Sequence, residues 1–286
     1  MSTPLAHAGN ADQIAYWNGP GGRRWADRRD MHDEVLAPIS ERLFAWARIA
    51  PGERVIDVGC GCGGTTLEVA RRVGSAGRVI GLDISVPMIA RARERAPADG
   101  AVEFVLADAT VQEFAPGWAD LLFSRFGVMF FADPALSFAN IRKGLARGGR
   151  VVFACWREPK LNPWLMIALK ATYMHAPRLP DVGPEDPGPF SFANEERVRR
   201  ILGQAGFDKI ALTPIDLELD IAAGKGFEAA LATSLEIGPT SRALEGQSDD
   251  VRAAAAVEIR AALAPHRRGD SVPLGAAIWI VQAINP

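Results

Sequence analysis

The chain has 286 residues and a mass of 30.7 kDa, with 48% hydrophobic and 23% charged residues, the balance of an ordinary globular protein with one large α/β domain or two small ones. A net charge of −2 and a pI near 6.1 leave no global positive field, which argues against a nucleic-acid partner. Three cysteines make no disulfide framework, no apolar run reaches the roughly 18–20 residues of a membrane span, and the first thirty residues lack the pattern of a signal peptide. A soluble, cytoplasmic, metal-independent protein is expected.

Residues 1–11 (MSTPLAHAGNA) are small and polar and are expected to fray. From Trp25 to Phe44 an apolar stripe at spacings of three and four runs through Arg28, His32, Val35, Leu36, Ile39 and Leu43. It predicts one or two amphipathic helices, with Pro38 near a break or in a first turn. Residues 1–48 thus read as an N-terminal helical cap and 49–286 as the main domain. Short β-rich runs then alternate with helical stretches: RVIDV (54–58), RVIGLD (78–83), VEFVLAD (102–108), ADLLFS (119–124) and RVVFACW (150–156). Ser85 with Pro87, and Asp133 with Pro134, read as helix starts; Gly148-Gly149 reads as a helix stop. This rhythm predicts βαβ units and a parallel sheet covered on both faces. Residues 157–192 carry seven prolines and predict an irregular crossover or lid. Asn194 then caps a helix ending at Gly206, and a strand follows over 209–221. Helical stripes fill 226–264 as a second lid insertion, and a last strand spans 276–284.

The most informative stretch is VIDVGCGCGGTTLEVA (55–70). A buried strand runs into Gly59, Gly61, Gly63 and Gly64 and on into a helix. Glycines there let a ligand approach the main chain at the helix N-terminus, on the carboxyl edge of a parallel sheet. A tight βα turn without a ligand would need one glycine, not four. Gly59-x-Gly61-x-x-Gly64 also satisfies the dinucleotide fingerprint, which by itself is weak. Acids end each of the first three strands. Asp57 can order the loop or meet a cationic amino group, Asp83 is placed for both ribose hydroxyls, and Asp108, followed by Ala109, for an adenine amino group. An adenosine with a positively charged tail and no phosphates suits this set. S-adenosylmethionine fits all of it, and NAD two of its three parts.

With these residues the chain resembles the class I S-adenosylmethionine-dependent methyltransferases, in the small-molecule group around the ubiquinone/menaquinone C-methyltransferase-like proteins. The resemblance is carried by DVGCGCGG (57–64), VIGLDIS (79–85) with Met88, ADAT (107–110), DLLFSRFGVMFFADP (120–134) and LARGGRVVF (145–153). It covers about 54–156, and more loosely 194–219. It implies a Rossmann-like seven-stranded sheet of order 3-2-1-4-5-7-6 with the last strand antiparallel. It also implies cofactor contacts for Asp57, Gly59, Cys60, Gly61, Asp83, Ile84, Met88, Asp108, Ala109 and Ser124. Tyr16 and Trp25 are expected to fold over the cofactor, unless Trp25 and Trp17 are packing anchors. Trp17, Arg125, Phe126 and Trp156 are expected on the side of the methyl acceptor.

His32 is the candidate base, although a packed histidine is the better account of its place on the apolar stripe. Cys60 and Cys62 have no further ligands at metal spacing, so small residues fitting the loop account for them. LNPW (161–164) has a passing likeness to the NPPY motif of nucleic-acid amino methyltransferases. Ser124-Arg125-Phe126-Gly127 stands where that motif belongs, so the likeness is accidental. The expected activity is methyl transfer by in-line displacement to a small, largely apolar metabolite, with S-adenosylhomocysteine as product. The alternatives are a nicotinamide-dependent oxidoreductase on the same loop, or a non-catalytic S-adenosylmethionine-binding protein.

Overall fold

The computed structural model describes residues 6–98, 100–181, 183 and 185–286; the expectations for residues 1–5 and for Pro184 lie outside them. Four short helices come first: α1 (Ala11–Asn18), α2 (Pro20–Asp27), α3 (Arg29–Val35) and α4 (Ala37–Ala47). The Trp25–Phe44 stripe is therefore spread over three helices rather than one or two. Arg28 and Leu36 leave helical geometry at the junctions, and Pro38 sits in the first turn of α4. Nor does the start of the described chain fray as expected, because Asn10 is buried.

Seven strands follow: β1 (Arg54–Val58), β2 (Arg78–Asp83), β3 (Val102–Leu106), β4 (Ala119–Arg125), β5 (Leu145–Trp156), β6 (Asp208–Asp220) and β7 (Pro273–Ile284). They form one sheet of order β3-β2-β1-β4-β5-β7-β6. The first five are parallel, and β7 runs antiparallel between β5 and β6. The central strands are apolar on both faces, as a covered parallel sheet demands; Val55, Leu121, Phe123, Val151, Phe153 and Cys155 are fully buried. The connections hold α5 (Gly64–Val73), α6 (Val86–Glu94), α7 (Pro134–Gly144), α8 (Pro163–Thr172) and α9 (Glu195–Gln204). Three more helices, α10 (Phe227–Glu236), α11 (Gly238–Ala243) and α12 (Asp249–Leu263), lie between β6 and β7. Among the described residues no helix is long and apolar enough to cross a membrane.

Three local expectations need correction. Gly148-Gly149 does not stop a helix: α7 ends at Gly144, and both glycines lie inside β5. The Ser85 side chain does not cap α6. Its Oγ donates to the Trp17 carbonyl at 2.6 Å, while Asn18 Oδ1 takes the Val86 N–H at 2.8 Å, so the N-terminal cap supplies the helix's missing acceptor. The proline-rich 157–192 segment is not irregular throughout, since Pro163 opens the buried helix α8.

Asn162 explains why α8 sits where it does. It is fully buried, and its amide donates to the carbonyls of Arg157 (3.1 Å), Glu158 (3.2 Å) and Ala277 (3.2 Å) while its Oδ1 accepts from Ala277 N (2.9 Å). One side chain thereby pins the start of α8 to β7. Asn162→Ala leaves buried backbone groups unsatisfied and is expected to cost about 2–4 kcal/mol, read as a lower midpoint in denaturant titration; an unchanged midpoint would refute this role.

Candidate functional site

The loop between β1 and α5 hangs from the end of β2. Gly59 and Cys60 donate to the Leu82 carbonyl at 2.8 and 3.1 Å, and Gly61 N donates to Asp83 Oδ2 at 2.9 Å. Gly59 (φ +68°) and Gly61 (φ +56°) take left-handed backbone that favours glycine. A Cβ at Gly59 would also strike Gly127 Cα, so this glycine is required by close packing against the turn after β4. The second Asp83 oxygen accepts from Ser85 N at 2.9 Å.

Asp57 is fully buried beneath the same loop. Its Oδ2 takes the hydroxyls of Thr65 (2.9 Å) and Thr66 (2.7 Å) in the first turn of α5, whereas its Oδ1 has no partner. Burial pushes its pKa up to about 6, against the pull of the two hydroxyls and of Arg125. Burial also drives both loop thiols up, Cys62 to about 12, which keeps them protonated and suits packing rather than metal or redox chemistry. Among the described residues no group of three or more His, Cys, Asp or Glu side chains is arranged to hold a metal ion.

The N-terminal helices cover this edge. Trp17 and Trp25 pack with Ala26, Cys62 and Met88 in a small apolar cluster. Trp17 meets Tyr16 and Phe130 edge-on, both at 5.0 Å. Asn18 Nδ2 donates to the Ile84 carbonyl at 3.0 Å. At the end of β3, Asp108 Oδ1 accepts from Thr110 N (2.8 Å), and Oδ2 from His7 N (2.9 Å) and Asn10 Nδ2 (2.7 Å). Asp108 is therefore held by the turn at Ala8–Asn10 and His7 before it, and the neighbouring Ala109 carbonyl accepts from Asn140. From the other side, the helices between β6 and β7 meet the cap through charge: Arg24–Glu245 (3.3 Å), Arg28–Glu236 (3.6 Å) and Lys225–Glu34, with Arg242 over the Tyr16 ring at 5.5 Å.

His32 is buried and stacks on Trp25 with ring centroids 3.9 Å apart. Neither ring nitrogen makes a regular hydrogen bond. Burial holds its pKa down to about 4, only partly offset by Asp33 and a weak contact with the Trp25 backbone. Ser124 is fully buried; its hydroxyl donates to Val58 O at 2.7 Å and accepts from Gly127 N at 3.1 Å, tying the ends of β1 and β4 together. Arg125 pairs with Asp33 Oδ1 and Ser40 Oγ, each at 2.8 Å. Phe126 stacks on Trp156 at 4.2 Å, and Trp156 lies against Trp164 of α8 at 5.0 Å. These residues thus gather in two groups, one around the glycine loop and one at the ends of β4 and β5. Trp164 was expected among the aromatic residues enclosing the acceptor side; Asp33, Asn10 and Asn18 were not expected. Asp33 is a polar residue within the apolar stripe, and the two asparagines precede it. A separate apolar groove of about 240 Å³, lined by Ile56, Ile80, Leu82, Val105 and Trp118, opens on the sheet face opposite α5, away from both groups.

Residues 55–149 match the model of a methyltransferase domain. The chain is 34% identical over 122 residues to the aklanonic acid methyltransferase DauC of a Streptomyces strain, covering 42% of this chain and 56% of that protein. It is 27% identical over 221 residues to the ubiquinone/menaquinone biosynthesis C-methyltransferase UbiE of Proteus mirabilis, covering 71% of this chain and 87% of that one. Its fold is similar to that of a Haemonchus contortus phosphoethanolamine N-methyltransferase solved with phosphomonomethylethanolamine and S-adenosylhomocysteine. The TM-score is 0.53 at 20% identity, over 86% of this chain and 52% of that one, which is a likeness of fold.

The buried Asp57 has a measurable consequence. A carboxyl that ordinarily titrates near 3.8 but does so near 6 in the fold binds protons more tightly folded than unfolded, so its contribution to stability falls as pH rises from about 4 through 6. Asp57→Asn keeps an acceptor for the threonine hydroxyls and removes the buried charge. Relative to the parent, the variant is expected to gain stability as pH rises from 4 to 7, by up to about 3 kcal/mol. Denaturation curves at several pH values check this, and a pH-independent offset would contradict it.

Proposed function

Because the chain belongs to the class I S-adenosylmethionine-dependent methyltransferases, we propose that it transfers a methyl group from that cofactor to a small, largely apolar metabolite. When bound, the cofactor supplies the electrophilic methyl carbon and leaves as S-adenosylhomocysteine after in-line displacement. The chain has then to bind, orient and exclude water. The observation that carries the reading is the buried, unpartnered Oδ1 of Asp57 beside a glycine loop held by Asp83. An orphan carboxylate oxygen there suits a cationic tail, whereas a dinucleotide pyrophosphate would meet two acids.

In this reading Asp83 accepts the ribose hydroxyls with lone pairs not used by Gly61 and Ser85. Asp57 receives the amino group. Ile84, Met88 and Ala109 flank the adenine, with Asp108 at its edge. Gly59, Cys60 and Gly61 form the cradle, Tyr16 and Trp25 cover it, and Ser124 acts through the loop it ties down. Trp17, Arg125, Phe126 and Trp156 bound the acceptor. His32 is the base: it is neutral at pH 7, and the ring nitrogen that carries no hydrogen can take a proton, since neither nitrogen has a regular hydrogen-bond partner. The three free, buried thiols suit a reducing, cytoplasmic compartment.

Asp83→Ala removes charge-assisted hydrogen bonds and should weaken S-adenosylhomocysteine binding tenfold or more by isothermal titration; unchanged affinity would sink the cofactor assignment. The acceptor can be sought by incubating metabolite extracts with methyl-labelled cofactor and identifying what gains the label by mass spectrometry. On that acceptor, His32→Gln is expected to lower kcat by roughly 10²-fold or more while S-adenosylhomocysteine affinity stays within about threefold. Retained turnover would leave His32 as a packing residue.

A further inference from the structure

Asp33 is the least expected side chain at the site. It lies on α3, yet its carboxylate rests on Gly64, the first residue of α5, where a Cβ would collide with it. The same carboxylate pairs with Arg125 Nη2 at 2.8 Å and lies 4.0 Å from Arg95 Nη1. The helix it faces has no side-chain cap, so its first N–H groups and its positive dipole end are open to an anion. The Arg125 side chain is only 12% exposed, so its charge is committed to whatever anion sits there. Beneath, Asp57 grips Thr65 and Thr66 of the same helical turn and keeps one oxygen unpartnered.

The fold therefore sets an anion position, between the start of α5 and Arg125, beside a cation position at Asp57. That pair of charges is the complement of an α-amino acid. We propose that Asp33 is an internal stand-in for the α-carboxylate of the cofactor's methionine moiety, and that cofactor binding displaces Asp33 from Gly64 and from Arg125. The inference rests on the S-adenosylmethionine reading above. It assigns Arg125 to the cofactor's carboxylate before any role toward the acceptor. Glycine at position 64 is then required by its neighbour's carboxylate, in either occupancy.

Removal of the competitor should strengthen binding of the ligand that carries a carboxylate and no other. In isothermal titration of the full chain, Asp33→Asn is expected to bind S-adenosylhomocysteine about 5- to 50-fold more tightly than the parent. 5′-Methylthioadenosine, which keeps the nucleoside but lacks the amino-acid end, should bind both proteins alike. Unchanged or weaker S-adenosylhomocysteine binding by Asp33→Asn overturns the proposal. So does an equal gain for 5′-methylthioadenosine, which would mean a loosened cap rather than a vacated carboxylate position. Should the parent and the variant both fail to bind S-adenosylhomocysteine, it is the cofactor reading that falls. Asp33→Glu supplies a second variant that keeps the charge, and it is expected to bind S-adenosylhomocysteine no more tightly than the parent; a gain equal to that of Asp33→Asn would also overturn the proposal.

Discussion

The Asp83 carboxylate is the joint on which the site depends. One oxygen holds Gly61 and with it the glycine loop; the other holds Ser85 N at the entry to α6. Ser85 in turn donates to the Trp17 carbonyl, so the same corner fixes the N-terminal cap. Three segments far apart in sequence are thus registered by one buried acid at the end of β2. Such an acid is tolerated in a core only because every bond it makes is to a backbone N–H, which stabilises the ionised form that burial disfavours. Once the loop is fixed there, the start of α5, the threonine grip on Asp57 and the turn after β4 have little freedom left.

The cap is held differently. Its contacts with the sheet are buried and specific, as at Asn10, which reaches Asp108, Thr110 and Ala132 N. Its contacts with the helices between β6 and β7 are ion pairs on partly exposed side chains, each worth only about 0–1 kcal/mol and weakened by salt. The two sides of the cover are therefore unequal. The seam toward the segment between β6 and β7 is the weaker one.

The sheet was largely legible because most of its strands are runs rich in β-branched and other apolar residues, and the first three lead into glycine or an acid. The seven-strand order came from the resemblance, since no periodicity in one sequence specifies which strands pair. What failed was local and had local causes. Pro163 looks like a breaker but is a first-turn proline, so α8 was missed. Gly148-Gly149 looks like a helix stop but is paired strand. Ser85 is a good capping residue by type, yet its hydroxyl was claimed by Trp17, a partner 68 positions away. Asp83 and Asp57 could be singled out because strand-end acids beside a glycine loop are a pattern. Asp33 could not, because its meaning arises only when α3 lands on Gly64.

The charges around the site also bear on what it admits. Arg125 is balanced by Asp33, and the cations of the seam, Arg24, Arg28 and Lys225, face Glu245, Glu236 and Glu34. His32 is neutral at pH 7, and Arg242 lies over the Tyr16 ring. What the site presents beside these pairs is apolar surface, from Phe126, Trp156 and Trp17.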